Sequence, residues 1–313
     1  MQLNNAELEQ LLQLATKAAL AAGEYITHFD RTLLEVDSKC VGSSLSAQVV
    51  TQVDLDSQAL ILSVLAPSIK YYNLGVLSEE NADEAQAAHH ERLTSEYFWC
   101  IDPLDGTLPF IENMPGYAVS IALVSKSGKP LIGVVFNPPS GDLYQAINDG
   151  SNSKVVKNGQ PWLLQSSDTL PEQEGKTLAI SSDVFTLFID RSFSQDPRYN
   201  PLLEAVAEQL KLVGIRSLEV INTSGAVMNA IGVLENAPAA YIKLPKPQKG
   251  GGSLWDFSAT AAIFEALIQS GSAVAVSNIH GAPLDLNRKD SNYMNHEGVF
   301  YSVNLPLNSF IYR

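Results

Sequence analysis

From Leu8 onward, apolar side chains fall at Leu11, Leu12, Ala15, Ala18, Ala19, Ala22, Ile26 and Phe29. This spacing of three and four predicts an amphipathic helix over residues 6–29, with one face laid on a sheet. The stretch "AQVVTQVD" then reads as a strand that enters a helix, "DLDSQALILSVLA", which Pro67 is expected to end and which places Asp54 at a helix start. Further on, "YFWCI" is a short aromatic and apolar run suited to a buried strand. "GYAVSIALV", "LIGVVF" and "DLYQAI" follow it, separated by the turn-forming "SKSGKP" and "NPPSG". A meandering antiparallel sheet is the expectation. From about residue 176 the pattern changes to short strands, "LAIS" and "AAYI", alternating with the helical "PLLEAVAEQLKLV" and "WDFSATAAIFEALIQSG", the latter stopped by Gly271. The class is therefore α+β passing into α/β. The polar "QSSDTLPEQEGK" divides an N-terminal α+β lobe, 1–175, from a C-terminal α/β lobe, 176–313.

Composition narrows the partners. With 313 residues, 45% of them hydrophobic, the chain can bury a large core. Its 34 acids against 20 bases give a net charge of −14. That argues against nucleic-acid polymers and anionic membranes as partners, and favours a site that concentrates cations. Two cysteines, Cys40 and Cys100, make no disulfide framework. The N-terminus carries no basic region followed by an apolar stretch, and no window reaches the roughly 18 apolar residues of a membrane span. A cytoplasmic location is expected.

Candidate chemistry centres on "WCIDPLDGT", residues 99–107. Pro103 disfavours helix at Asp102, so the strand is expected to end there and the chain to turn, aiming Asp102 and Asp105 out of the sheet edge. Gly106 allows backbone geometry closed to other residues, and Thr107 can start a short helix whose free N–H groups donate to a phosphate. Carboxylates beside an anion cradle repel a phosphate unless hard cations intervene, and Mg²⁺ bridges oxygen ligands to phosphoryl oxygen. On spacing alone, a solvent-facing acidic turn is the plainer reading. Likewise Glu79 with its acidic neighbours reads as a solvated loop, Asp54 as a helix cap, and Asp256 as a first-turn carboxylate. The five histidines offer only His89-His90 as a close pair, which disfavours zinc.

In this order, "VTQVD", "LSEEN", "WCIDPLDGT" and "LWDFSATAA" resemble the inositol monophosphatase superfamily, over most of the chain and as far as "GAPLDLNR". The aspartyl-phosphate phosphatases share "LDGT" but place a nucleophilic aspartate where Pro103 stands, so water must be the nucleophile here. The resemblance implies a layered αβαβα sandwich of the inositol monophosphatase or fructose-1,6-bisphosphatase type, with the site between the lobes and often a homodimer. It implies that Glu79 binds a metal and that Asp102 bridges two. The Leu104 carbonyl would coordinate one ion, and Asp105 and Asp256 would hold the second. Thr107 would lie beside the attacking water and hydrogen-bond Asp54 in a proton relay, while Gly106 and Thr107 give backbone donors to phosphate. Two or three Mg²⁺ ions and sensitivity to lithium follow from the same likeness. Ser78 stands where the family motif usually has glycine, a minor departure because the carboxylate remains.

The expected activity is a Mg²⁺-dependent phosphomonoesterase acting on a small phosphorylated substrate. The alternatives are a non-catalytic metal- or phosphate-binding protein on the same scaffold and a fructose-1,6-bisphosphatase-type sugar phosphatase. Members that favour inositol phosphates usually have an acid shortly before Trp-Asp. Here "YIKLPKPQKGGGSLWD" has none, and Lys243, Lys246 and Lys249 bring positive charge instead. A basic, Gly-rich segment suits a second phosphate, as in a 3′(2′),5′-bisphosphate nucleotide, with Lys246 and Lys249 as its contacts. A solvated Pro/Gly loop is the plain alternative.

Overall fold

The computed structural model describes residues 2–30, 36–38, 49–86, 90–164, 183–246, 251–291 and 293–304. Helix α1 (Asn5–His28) is started by Asn4, whose side chain accepts from the Glu7 N–H while Glu7 reaches back to the Asn4 N–H. Strands β1 (Val36–Ser38) and β2 (Val49–Thr51) pair antiparallel and lead into α2 (Gln52–Tyr72). Then come β3 (Gly75–Ser78), α3 (Glu91–Thr94), β4 (Tyr97–Asp105), α4 (Thr107–Ile111), β5 (Ala118–Ser125), β6 (Pro130–Asn137), β7 (Asp142–Ile147), β8 (Lys154–Lys157) and β9 (Gln160–Pro161). The second half supplies β10 (Val184–Phe188), α5 (Tyr199–Leu212), β11 (Ser217–Ile221), α6 (Ala226–Glu235), β12 (Ala239–Lys243), α7 (Leu254–Gln269), β13 (Val274–Ser277) and β14 (Val299–Val303).

Strands β3 to β9 form one sheet in chain order, antiparallel from β4 onward. The other sheet runs β11-β10-β12-β14-β13, with β10 parallel to both neighbours. The alternation of side chains explains why both faces of the larger sheet are apolar. On β5, Val119, Ile121 and Leu123 pack under α1 and α2, whereas Ala118, Ala122 and Val124 join the core around α6 and α7. Each fully buried Ile, Leu or Val contributes about 1.5–3 kcal/mol. A third core of Phe185, Leu187, Val206, Leu210 and Ile242 lies between α5 and the smaller sheet. The layers thus read α1/α2, large sheet, α6/α7, small sheet, α5, which is the expected αβαβα sandwich. Gly133 on β6 lets α7 approach the sheet: a Cβ there would collide with the Ala259 carbonyl oxygen.

Two local expectations are overturned. Helix α2 continues through Pro67 to Tyr72. Ile61, Leu65 and Ser68 keep one buried face across the proline, and the Ser68 hydroxyl donates to the Leu65 carbonyl while accepting from the Trp99 indole N–H at 3.1 Å. Tertiary packing outweighs the lost helix bond there. Strand β4 does not end at Asp102 but runs through Pro103 to Asp105. The strand expected at "LAIS", the boundary at 165–176 and Lys249 lie outside the described residues. Among the described residues, no helix is long and apolar enough to cross a membrane.

Candidate active site

Residues three apart on a regular strand point to opposite faces. Asp102 pairs with Ser120 and Asp105 with Ala118, so three steps on β4 oppose two on β5. This bulge turns both carboxylates to one side. Gly106 follows in the left-handed region at φ 85°, where a Cβ would lie 2.8 Å from the Gly116 carbonyl oxygen, and α4 begins at Thr107. Asp256, in the first turn of α7, completes a cluster. Oxygens of Asp102, Asp105 and Asp256 all lie within 4.8 Å of one another.

Each acid is oriented by the backbone. Asp102 Oδ1 accepts the Leu104 N–H at 3.1 Å. The α6 N-terminus donates Ala226 N–H to Asp105 Oδ1 at 3.0 Å and Val227 N–H to Asp105 Oδ2 at 2.9 Å. Ser253 N–H donates to Asp256 Oδ2 at 3.0 Å, so Asp256 is also a first-turn capping acid. Glu79 follows β3 directly, and its carboxyl lies close enough to Asp102 for each to shift the other's titration. Ser78 beside it is buried and donates to Gln58 Oε1. The Thr107 hydroxyl lies 3.2 Å from Asp54 Oδ1 and 3.3 Å from the Leu104 carbonyl oxygen, with Asp54 buried in the first turn of α2.

Burial and mutual repulsion push these carboxyls out of their ordinary range. Burial, then the charge of Glu80, raises Glu79 well above it; burial, then the charge of Glu79, does the same to Asp102. Burial and Asp256 lift Asp105 to about 8 against the pull of the α6 donors, and burial raises Asp256 despite Lys243. A concentration of buried acidic groups like this could hold a cation by its donor chemistry: hard oxygens, oriented by the backbone and underneutralised. A carboxyl whose pKa is higher folded than unfolded holds more protons in the native state, so its contribution is complete below about pH 4 and is lost as pH rises towards 8. The melting temperature in EDTA is expected to fall between pH 5 and 8 by roughly 5 °C or more, and Mg²⁺ to restore more of it at pH 8 than at pH 5. A flat profile in calorimetry would contradict this electrostatic picture.

Position 243 corrects the picture of a basic loop. Lys243 ends β12 with its side chain only 11% exposed, and its amine lies 2.9 Å from Asp190 Oδ2 and 3.8 Å from Asp256 Oδ2. Asp190 also accepts the Tyr241 hydroxyl at 2.8 Å. Neither Asp190 nor Tyr241 carries a motif that would have marked it in the sequence. Lys246 is half-buried, and its pKa is lowered by burial and by Lys243. Glu112, after α4, pairs with Arg191 at 2.8 Å, joining the motif segment to the second half of the chain.

A model described as the inositol monophosphatase family matches residues 7–297. Inositol monophosphatase 2 of Solanum lycopersicum is 35% identical over 143 residues, 45% of this chain and 49% of that protein. The chain thus spans about half the length of the curated relatives it matches first. A histidinol-phosphatase of Chlorobaculum parvum is 28% identical over 84% of this chain and 93% of its own. Among solved structures, the extragenic suppressor protein suhB of Bartonella henselae superposes with a TM-score of 0.64 at 19% identity, covering 94% of each chain. That likeness concerns the fold.

Proposed function

The chain belongs to the inositol monophosphatase family, and from that premise we propose that it is a Mg²⁺-dependent phosphomonoesterase that hydrolyses a small phosphate ester with water as the nucleophile. The observation that carries this reading is the convergence of Asp102, Asp105 and Asp256 within 4.8 Å, with Glu79 near Asp102. Glu79, Asp102 and the Leu104 carbonyl would hold one ion; Asp102, Asp105 and Asp256 would hold the second. Bound there, the ions supply a lowered pKa for the attacking water and stabilise the leaving alkoxide.

The chain's own groups do the rest. Thr107 Oγ1 accepts a proton from the water and passes its own to Asp54 Oδ1, along the 3.2 Å contact already present. Glu79, beside Asp102, acts here as one of the groups that would hold the ion next to the water. The N–H groups of Gly106 and Thr107, at the start of α4, bind phosphate oxygens. Substrates of the inositol monophosphate or 3′(2′),5′-bisphosphate nucleotide class fit this chemistry, and histidinol phosphate joins them through the relative named above.

Phosphate release from inositol 1-phosphate, adenosine 3′,5′-bisphosphate, fructose 1,6-bisphosphate and histidinol phosphate, with Mg²⁺ and then with EDTA, tests the reading. Release that requires Mg²⁺ is expected, with inhibition by Li⁺. No release from any of a broad panel would overturn it in favour of a binding protein. Lys246 lies within electrostatic reach of Lys243 and Asp190, near the cluster. Replacing Lys246 and Lys249 by glutamine is expected to raise KM for adenosine 3′,5′-bisphosphate about tenfold and to leave inositol 1-phosphate nearly unchanged. Equal changes for both esters would remove the basic segment from substrate choice.

A further inference from the structure

We propose that Lys243 is a built-in monovalent counter-cation of the Asp256 side of the site, stabilising the fold without a divalent ion and weakening the hold of Asp105 and Asp256 on one. The inference rests on the two-ion reading above. Lys243 acts through Asp256 and is therefore a positioning residue.

Its placement is specific. A lysine that needed only a partner has one in Asp190, at 2.9 Å, and Asp190 is itself fixed by the Tyr241 hydroxyl. The second approach, 3.8 Å from Asp256 Oδ2, sets a permanent positive charge against an oxygen of the acidic cluster. The amine also lies 5.4 Å from the centre of the Phe257 ring, whose face favours a cation and helps to keep it there. With so little of the side chain exposed, water and salt screen this charge poorly. Asp256 Oδ2 additionally accepts the Ser253 N–H, so one hydrogen bond and one nearby positive charge already draw on that oxygen. A divalent ion entering on this side meets an attraction from Asp105 and Asp256 that is offset by Lys243. Glu79 and Asp102 carry no basic side chain of this kind among the described contacts. The two halves of the cluster are therefore unequal, with the Glu79–Asp102 side the tighter.

Mn²⁺ binding to the full chain, followed by electron paramagnetic resonance of free Mn²⁺, separates the sites. Wild type is expected to show one tight and one weak class. Lys243→Met should tighten the weak class by about tenfold or more, because removing the amine leaves Asp190 and Asp256 uncompensated. Lys243→Arg should keep the wild-type values. In EDTA, Lys243→Met should melt below wild type, and saturating Mn²⁺ should close the gap. If Lys243→Met binds Mn²⁺ unchanged or more weakly, or melts lower by the same amount with and without Mn²⁺, Lys243 is merely structural and the proposal fails. Should Lys243→Met not fold, Asp190→Asn serves: it leaves the amine to Asp256, and the weak class should loosen by at least about threefold. An unchanged weak class would overturn the proposal. Wild type without any Mn²⁺ binding would instead remove the two-ion reading, and this inference with it.

Discussion

Asp102→Asn is expected to lower kcat by about a thousandfold or more while the chain still folds, and to raise the melting temperature measured in EDTA at pH 8. The first effect follows from position. Asp102 lies on the bulge between Glu79 and the pair Asp105 and Asp256, near the one and within 4.8 Å of the other two, so its charge serves both halves of the cluster. Losing one group that stabilises developing charge costs on the order of a hundred- to a thousandfold, and a shared group belongs at the upper end or above. The second effect follows from sign. Without a cation, ionisation of Asp102 is opposed by burial and by Glu79, Asp105 and Asp256, and an amide of the same shape removes that cost. The amide also keeps a side-chain oxygen to accept the Leu104 N–H. Steady-state kinetics and calorimetry on the same preparation check both; activity within tenfold of wild type would end the two-ion assignment.

Thr107→Val should reduce kcat by roughly a hundred- to a thousandfold, the range for losing a positioned proton-transfer group. Mn²⁺ affinity should stay within about twofold, because the hydroxyl is not among the groups that would hold the ions. Valine fits the buried space but cannot donate to Asp54 Oδ1 or to the Leu104 carbonyl. Thr107→Ser restores the hydroxyl and should recover activity to within about tenfold of wild type. A kcat for Thr107→Val equal to wild type would remove the relay through Asp54.

What the sequence disclosed and what it hid divide on physical grounds. The helix α1, the meander β5 to β7 and the helix α7 were legible because each buries a face at a regular period. Asp102, Asp105, Asp256 and Glu79 stood out because their motifs occur together in order. The bulge in β4 was not legible: it depends on how β5 registers against it, a pairing between distant segments. For the same reason the α6 donors to Asp105 were invisible, since Ala226 and Val227 contribute only backbone N–H groups. Pro67 misled because the local cost of a proline is visible and the tertiary packing that offsets it is not. In the sequence Lys243 is one of three lysines in a polar stretch; only its neighbours, Asp190 and Asp256, distinguish it from a solvated charge.

The tight seating of α7 on β6 reaches beyond packing. The carbonyl that a methyl group at Gly133 would strike belongs to Ala259, less than one helical turn from Asp256. Any larger residue at position 133 must tilt or lift that helix, carrying the Asp256 carboxylate away from Asp102 and Asp105 even if the hydrophobic layer closes around the newcomer. Variation at a residue with no functional group of its own is thereby constrained by the alignment of the acids, and a chain altered there would lose turnover before it lost its shape.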